Sequence, residues 1–598
     1  MSSTRKPSLE TLPTEILHQI YDELDAETIV FSMRIVSKRF YLITNVYNRL
    51  QLDFRYISKS HMRMMAQLID PQNVISLTLA DVKETSGQIK LFLSHFSTDR
   101  FIRLHSLTLT YLNDEELDQL AKLIHRSSLR TVSISFMDPE SNQAKQFLTS
   151  ILIRETLRTL KLENGDWIIN GTRWPKRCKL QDMIMYRGCD WDTAYFIVKY
   201  SSNLRKLTIR CILKYNIDET ITLLPDMKPC NHLSYLSLCV TTDLTIEDVE
   251  IFLGLFPKLT YLELTCLKDE ANYSLFDGRR WEDFIQTKLP LLDQIKLDLV
   301  YSVRGNGENV PTVESLIAPF RSLFWKKVKH LVVNCDEEYE NDHHKFHLYS
   351  TPRSREEFDY SHQRKTIVRS ISNIVDYNQP IIINTKKLTL DLNPTTNTSI
   401  QDNTSLTRPY IFQKVTELEL LIEQEWPINA IKHLSTMVNL LTLRTICLNF
   451  KSDCNFIVSL DAEIKALFEQ TLNLRSIRIM CNDYIGMKVL VRDYSEKLML
   501  ITRNSIALNL PRHIKTLDIE VKDVEDAKTV LEHNKYLARV TFRPIYRGER
   551  FSDGIAEWMK NMNRDDTLRD DWDVFCGCDS DKCDSIKAVH LWLENKLD

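Results

Sequence analysis

Apolar residues recur along most of this chain in one short phrase. An apolar residue is followed by two mostly polar ones, an apolar one, a polar one and a further apolar one. The phrase stands at Leu104, Leu107 and Leu109; at Leu204, Leu207 and Ile209; at Leu233, Leu236 and Leu238; and at Leu259, Leu262 and Leu264. Looser copies start at Val74, Leu129, Leu157, Leu180, Leu292, Val328, Thr385, Val415, Leu440, Leu474, Ile514 and Leu537, mostly 23–36 residues apart. The residues three and five after each start alternate like a strand and point to one side. Helical spacing then follows, as at Leu117, Leu120, Ala121 and Ile124. A single strand–helix unit cannot bury its apolar face alone, but stacked units share a continuous core. Each buried leucine-sized side chain contributes about 1.5–3 kcal/mol, so such an array is stable without a cofactor.

The phrase and its spacing resemble leucine-rich repeats, with several copies longer than the usual period. The resemblance implies an α/β fold: a curved solenoid over 51–543, with parallel strands on the concave face and helices outside. Cys211, Cys266, Cys335, Cys447 and Cys481 each fall seven residues after a repeat start, where Val240, Leu299, Leu392, Ile422 and Val521 stand in other copies. Cysteine is read there as a small buried apolar residue. The stretches Leu112–Leu117 and Leu244–Val249 resemble the turn-to-helix part of the cysteine-containing repeats of F-box proteins, with the offset to cysteine one residue short.

The first residues have a different texture. Pro13 suits a first helical turn, and Leu17, Ile20, Tyr21 and Leu24 then fall on one helical face. Asp25 can cap a second helix through Ala26–Ile35, and Ser37 a third that carries Phe40, Tyr41 and Ile43. Three helices this short are marginal alone and lean on a neighbour. Residues 8–50 resemble an F-box, the adaptor-binding module of cullin–RING ubiquitin ligases, through Leu12, Pro13, Glu15, Ile16, Leu17, Ile20, Leu24, Val36, Ser37, Arg39 and Phe40. The family often carries Trp where Phe40 stands. The resemblance implies a non-catalytic substrate receptor of an SCF-type ligase. Its F-box would hold a Skp-type adaptor through Leu12, Pro13, Glu15, Ile16, Leu17, Ile20, Val36 and Phe40, and its repeats would hold a protein substrate. A repeat scaffold with no ligase role is the alternative.

Within each repeat the residues two, four and six after the start face away from the core. Early ones are small: Ser76, Thr78, Ser106, Thr108, Thr131 and Ser133. Later ones are Tyr186, Lys206, Arg210, Tyr235, Tyr261 and Glu263, a candidate substrate-binding patch, because Tyr and Arg are enriched in binding hot spots.

Composition narrows the classes. A net charge of −4 argues against a broad nucleic-acid surface. No apolar run approaches the ~18 residues of a membrane span, and the start lacks a signal-peptide core, so the expected location is cytoplasm or nucleus. An odd count of 13 cysteines suits reduced thiols. Only 12 glycines are present, and neither Gly-rich phosphate cradle occurs. No nucleophile elbow or H-E-x-x-H stands out.

Residues 336–380 are polar and are expected to be an inserted loop with a helix near Gln363–Val375. Asp342, His343 and His347 within it are read as a solvated acidic loop rather than a metal site. Arg304–Pro311 is expected to be a flexible excursion. Residues 544–598 are expected to cap the array with a helix over Phe551–Met562 and strands over Asp573–Cys578 and Ala588–Leu593. Cys576, Cys578, Cys583 and His590 there lack standard zinc spacing. Neither a metal nor a cofactor is expected.

Overall fold

The computed structural model describes residues 9–593 except 83–84, 164–165, 170, 176–177, 187, 214–228, 242–243, 267–270, 305–309, 341–342, 351–352, 355–356, 361–367, 372–381, 384, 392–411, 423–429, 452–459, 483–505, 508–509, 545–550, 563–573 and 578–587. Residues 1–8, the centre of the 304–311 excursion, Asp342, Cys578 and Cys583 therefore lie outside the described residues.

Helices Thr14–Asp22, Thr28–Met33 running on into Arg34–Val36, and Lys38–Val46 form the N-terminal part. Pro13 sits at the cap position of the first, one residue earlier than a first-turn placement. Asp25 Oδ1 accepts from the Thr28 amide at 2.7 Å, and Ser37 Oγ accepts from the Phe40 amide at 3.4 Å. Both side chains satisfy helix N–H groups that lack an intrahelical partner. The Arg39 guanidinium donates to the Leu12 carbonyl and ties the third helix to the first turn. Leu17, Tyr21, Ile29, Val30, Phe40 and Ile43 are buried in the same core cluster as the first repeats. The small helical part thus shares its core with the array, as its size requires.

Among the described residues the repeats form two large sheets, beside two two-stranded ones. The first has 13 strands, starting at Leu50–Asp53 and running parallel, neighbour by neighbour, to Gln294–Arg304. The second has 9, parallel from Glu357–Tyr360 to Arg539–Pro544. In register, Leu207, Leu236, Leu262 and Ile295 stand side by side, and so do Lys206, Tyr235, Tyr261 and Gln294. The leucine row is buried, and strand burial alternates as the two-residue period demands. Helices such as Asp114–Arg126, Trp191–Tyr200 and Ile246–Leu253 return the chain between strands and bury Leu120, Ile197 and Phe252. The Ile246 helix starts at a reciprocal cap between Thr245 and Asp248.

Three expectations are corrected. First, among the described residues the array is not one continuous parallel sheet, and residues 336–340 and 343–350 are strand rather than loop. Val333–Glu340 and His343–Ser350 make an antiparallel hairpin, and His343–Ser350 pairs antiparallel with Gln294–Arg304. The polar residues mislead because the ladder is long: the Gln294 strand continues past its repeat to Arg304, and the hairpin adds to that extension. Second, Val368–Ile371, inside the expected helix, is a strand on Val333–Glu340. Third, the repeat placed at Leu440 starts at Leu443. Leu418 pairs with Ile446, so Leu443 matches Val415.

That shift changes the reading of the cysteines. Cys266 and Cys335 are buried in the core as expected. Cys447 is half-buried on the opposite strand face, and Phe450 fills the core position instead. Cys211 is half-buried. Cys481 lies in Ser476–Asn482, and its side-chain surroundings fall outside the described residues. Where the cap is expected stand the helix Phe551–Met562 and the strands Val574–Gly577 and Ala588–Trp592, the two strands pairing antiparallel at the end of the second sheet.

The register predicts thiol reactivity. Burial, with Asp336 and Glu337 adding, pushes the Cys335 thiol up to about 12, so the reactive thiolate is scarce at pH 8. Alkylation of Cys266 and Cys335 in the native chain should be at least ~100-fold slower than in urea, as read by peptide mass spectrometry. Rapid native labelling of both would contradict the register.

Candidate functional site

Two surfaces stand out. The first lies on the N-terminal helices. Of nineteen exposed large apolar side chains among the described residues, seven fall between Leu9 and Val46: Leu9, Ile16, Ile35, Val36, Tyr41, Leu42 and Val46. Ile35 is 79% exposed, Val46 62% and Val36 58%. Isolated exposed apolar residues are ordinary, but a concentration in one module marks a contact surface. Leu42 and Val46 are one turn apart on the third helix, and Ile35 and Val36 end the second.

The candidate adaptor residues divide on this evidence. Pro13, Glu15, Ile16 and Val36 are exposed, and Leu12 and Ile20 are half-buried. Leu17 and Phe40 are fully buried in the core that the helices share with the first repeats. These two support the surface from behind and do not form it, because a helix in a small module must turn its strongest apolar positions inward. Ile35, Tyr41, Leu42 and Val46 were missed. The available signal was an excess of apolar residues around the third helix, more than one buried face can absorb.

The second surface is the row of outward strand positions in the middle of the first sheet. Tyr235 and Tyr261, cross-strand partners, stack with ring centroids 4.3 Å apart and planes 8° from parallel. The Lys206 ammonium lies 5.9 Å from the Tyr235 ring centroid, and the Lys296 ammonium 5.4 Å from that of Tyr261. The two rings are thus flanked by cations, an arrangement favoured by the negative charge of the ring faces. Glu263 Oε2 accepts from Ser237 Oγ at 2.9 Å and from the Tyr235 hydroxyl at 3.4 Å. Burial, with the Glu263 carboxylate adding, pushes the Tyr235 phenol up to about 12 and Tyr261 further in the same direction. Tyr235 thus keeps the hydroxyl proton that it donates to Glu263.

Tyr186 and Arg210, each one residue past the end of its strand (Asp182–Met185 and Lys206–Ile209), form a separate pair, the guanidinium 4.5 Å from the ring centroid. All six candidate residues therefore lie on one sheet face, with Lys296 an addition. It occupies the fourth position after the Leu292 start and follows from the same period. Upstream, Ser76, Ser106 and Thr131 pair in one row, and Thr78, Thr108 and Ser133 in the next, all half-buried and small.

The matching face of the second sheet is a polar network. Asp518 accepts from Arg478 Nε and Arg543 Nε, each at 2.9 Å. Glu419 accepts from Asn449 at 3.0 Å, and burial beside this carboxylate pushes the Cys447 thiol up to about 12.

Among the described residues no group of three or more His, Cys, Asp or Glu could hold a metal ion. His343 accepts from Arg304 Nε at 2.8 Å, His347 is buried in its strand, and His590 Nδ1 meets Thr541 Oγ1 at 2.9 Å. Cys576 lies in Val574–Gly577, paired with the strand that carries His590. Among the described residues no helix is long and apolar enough to cross a membrane.

No family model matches the chain, and no curated protein matches it. Among solved structures, the crystal structure of a TLR13–ssRNA13 complex is similar at 13% identity and a TM-score of 0.24, covering 75% of this chain and 66% of that one. The chain thus spans just under two thirds of that protein, and at this TM-score the likeness carries no argument.

The stack makes a quantitative prediction. Tyr235→Leu and Tyr261→Leu, alone and combined, should give a coupling energy of about 0.5–1.5 kcal/mol in a urea-unfolding cycle. Strict additivity would contradict the stacked geometry.

Proposed function

We propose that this chain is the substrate-recognition subunit of an SCF-type cullin–RING ubiquitin ligase. The N-terminal helices capture a Skp-type adaptor, and the repeat array holds a protein substrate. One observation carries this reading. The module whose sequence resembles an F-box also holds the densest run of exposed large apolar side chains among the described residues. An adaptor would cover Pro13, Ile16, Ile35, Val36, Leu42 and Val46 and remove them from water, while Leu17 and Phe40 keep the helices in shape. Each such side chain contributes about 1.5–3 kcal/mol when fully buried, and only the surplus over the cost of association appears as affinity.

In this reading the array contributes binding alone. Ubiquitin transfer belongs to partner subunits, and the chain supplies no nucleophile, acid or base to it. The Lys206–Tyr235–Tyr261–Lys296 stack with Glu263 is the proposed centre of the substrate face. It offers two cations and a carboxylate on a rigid aromatic support, and rigid aromatic anchors lose little conformational entropy on binding.

Two experiments test the proposal. Leu12→Ala with Pro13→Ala, and separately Val36→Asp, should each abolish copurification of the adaptor and cullin while circular dichroism stays unchanged. Full capture by folded variants would contradict the adaptor surface. Tyr235→Ala combined with Tyr261→Ala should lose substrate candidates that accumulate under proteasome inhibition, with the adaptor still bound. Retention of those candidates would contradict the placement of the substrate face. An array that keeps its ligands but never recovers an adaptor is a binding scaffold.

A further inference from the structure

The strand Ala588–Trp592 is buried along its whole length, whereas most strands of the array alternate buried and half-exposed positions. One face is explained by the second sheet, where Val589 and Leu591 belong to the second core cluster. The other face carries Trp592, which belongs to the first cluster together with Leu50, Phe54 and Ile57. Its indole N–H donates to the Ile57 carbonyl at 2.9 Å across 535 positions of sequence. The Lys59 ammonium, in a side chain only 4% exposed, lies 5.1 Å from the Trp592 ring centroid. One strand back, the Arg539 guanidinium lies 5.1 Å from the ring of Tyr56. Farther out, Arg475 pairs with Asp25 Oδ2 at 3.1 Å, on the same carboxylate whose other oxygen caps the second N-terminal helix.

In a solenoid each repeat contacts mainly its sequence neighbours. These four contacts join the two ends instead. We propose that Ala588–Trp592 is a clasp that docks on the Phe54–Lys59 segment, closes the array into a ring, and holds the N-terminal helices against the last repeats. This inference is independent of the adaptor reading, because it rests on the seam alone.

The parts of the seam differ in weight. The Asp25–Arg475 pair is largely exposed and contributes little. The Trp592 contact is dry and combines apolar burial, a hydrogen bond and a cation over a ring. Losing the indole donor leaves a buried carbonyl unpaired, which is costly. Trp592 is therefore the residue on which closure turns, and its release is the route by which the ring opens. Neither core needs to unfold for this motion, since only the seam separates.

The test uses the full chain with Trp592→Phe and Trp592→Ala, followed by hydrogen–deuterium exchange and small-angle X-ray scattering. Trp592→Phe keeps one aromatic ring while removing the donor and part of the buried ring volume. Exchange over residues 54–62 should rise about fivefold in this variant. It should rise further in Trp592→Ala, together with the maximum dimension from scattering, while residues 233–265 exchange as before. Unchanged exchange over 54–62 in folded Trp592→Phe would overturn the clasp. So would a uniform rise in which 54–62 accelerates no more than 233–265. If Trp592→Ala does not fold, the Trp592→Phe comparison decides alone.

Discussion

One hydrogen-bond arrangement underlies the array. The backbone carbonyl one residue after each repeat start accepts two successive amides of the next repeat. The Arg130 carbonyl takes Arg158 and Thr159, that of Arg158 takes Gln181 and Asp182, and that of Gln181 takes Arg205 and Lys206. The pattern continues through Arg205, Ser234 and Thr260, and resumes in the second sheet at Lys386, Thr416, Arg444, Arg475 and Lys515. Each shared carbonyl sets where the next strand begins. A strand that begins one residue late would turn its leucines outward, so register, core and outward face are settled together. The Lys206, Tyr235 and Tyr261 row exists because of this constraint: each of these residues is the second amide on such a carbonyl.

The strands, the burial alternation and the outward rows were legible from the apolar period, because each depends on neighbours close in sequence. Four features were not. The Leu440 and Leu443 phrases compete within one leucine-rich segment, and only pairing with Glu417–Ile422 chooses between them. The Val333–Glu340 and His343–Ser350 strands keep Glu337, Glu338 and Lys345 half-exposed but bury Asp336 and His347, so polarity alone pointed to a loop. The seam joins residues too distant for any local pattern to relate, and Trp592 looks like an ordinary cap residue until its partner at Ile57 is seen. At the N-terminus, motif residues were visible in sequence, but which of them face outward was not. Leu17 and Val36 have the same chemistry and opposite burial.

Closure bears on how such a receptor would work. An open solenoid bends at every repeat interface, so its two ends move independently. A ring places the N-terminal helices against both the first and the last repeats. A partner on those helices and a ligand on the strand face would then be held in a defined relation, which transfer between two bound proteins requires. The same closure makes the molecule's softest motion a separation at one seam, where few contacts oppose it, rather than a bend spread along the array.

The proposed adaptor contact falls on the exposed apolar helices. Isothermal titration of the purified chain with a purified Skp-type adaptor tests it most directly, without other subunits or cellular factors. An adaptor-binding face gives one-to-one binding with a Kd of about 1 μM or tighter and a negative heat-capacity change from apolar burial. No detectable binding at adaptor concentrations of about 100 μM would contradict it.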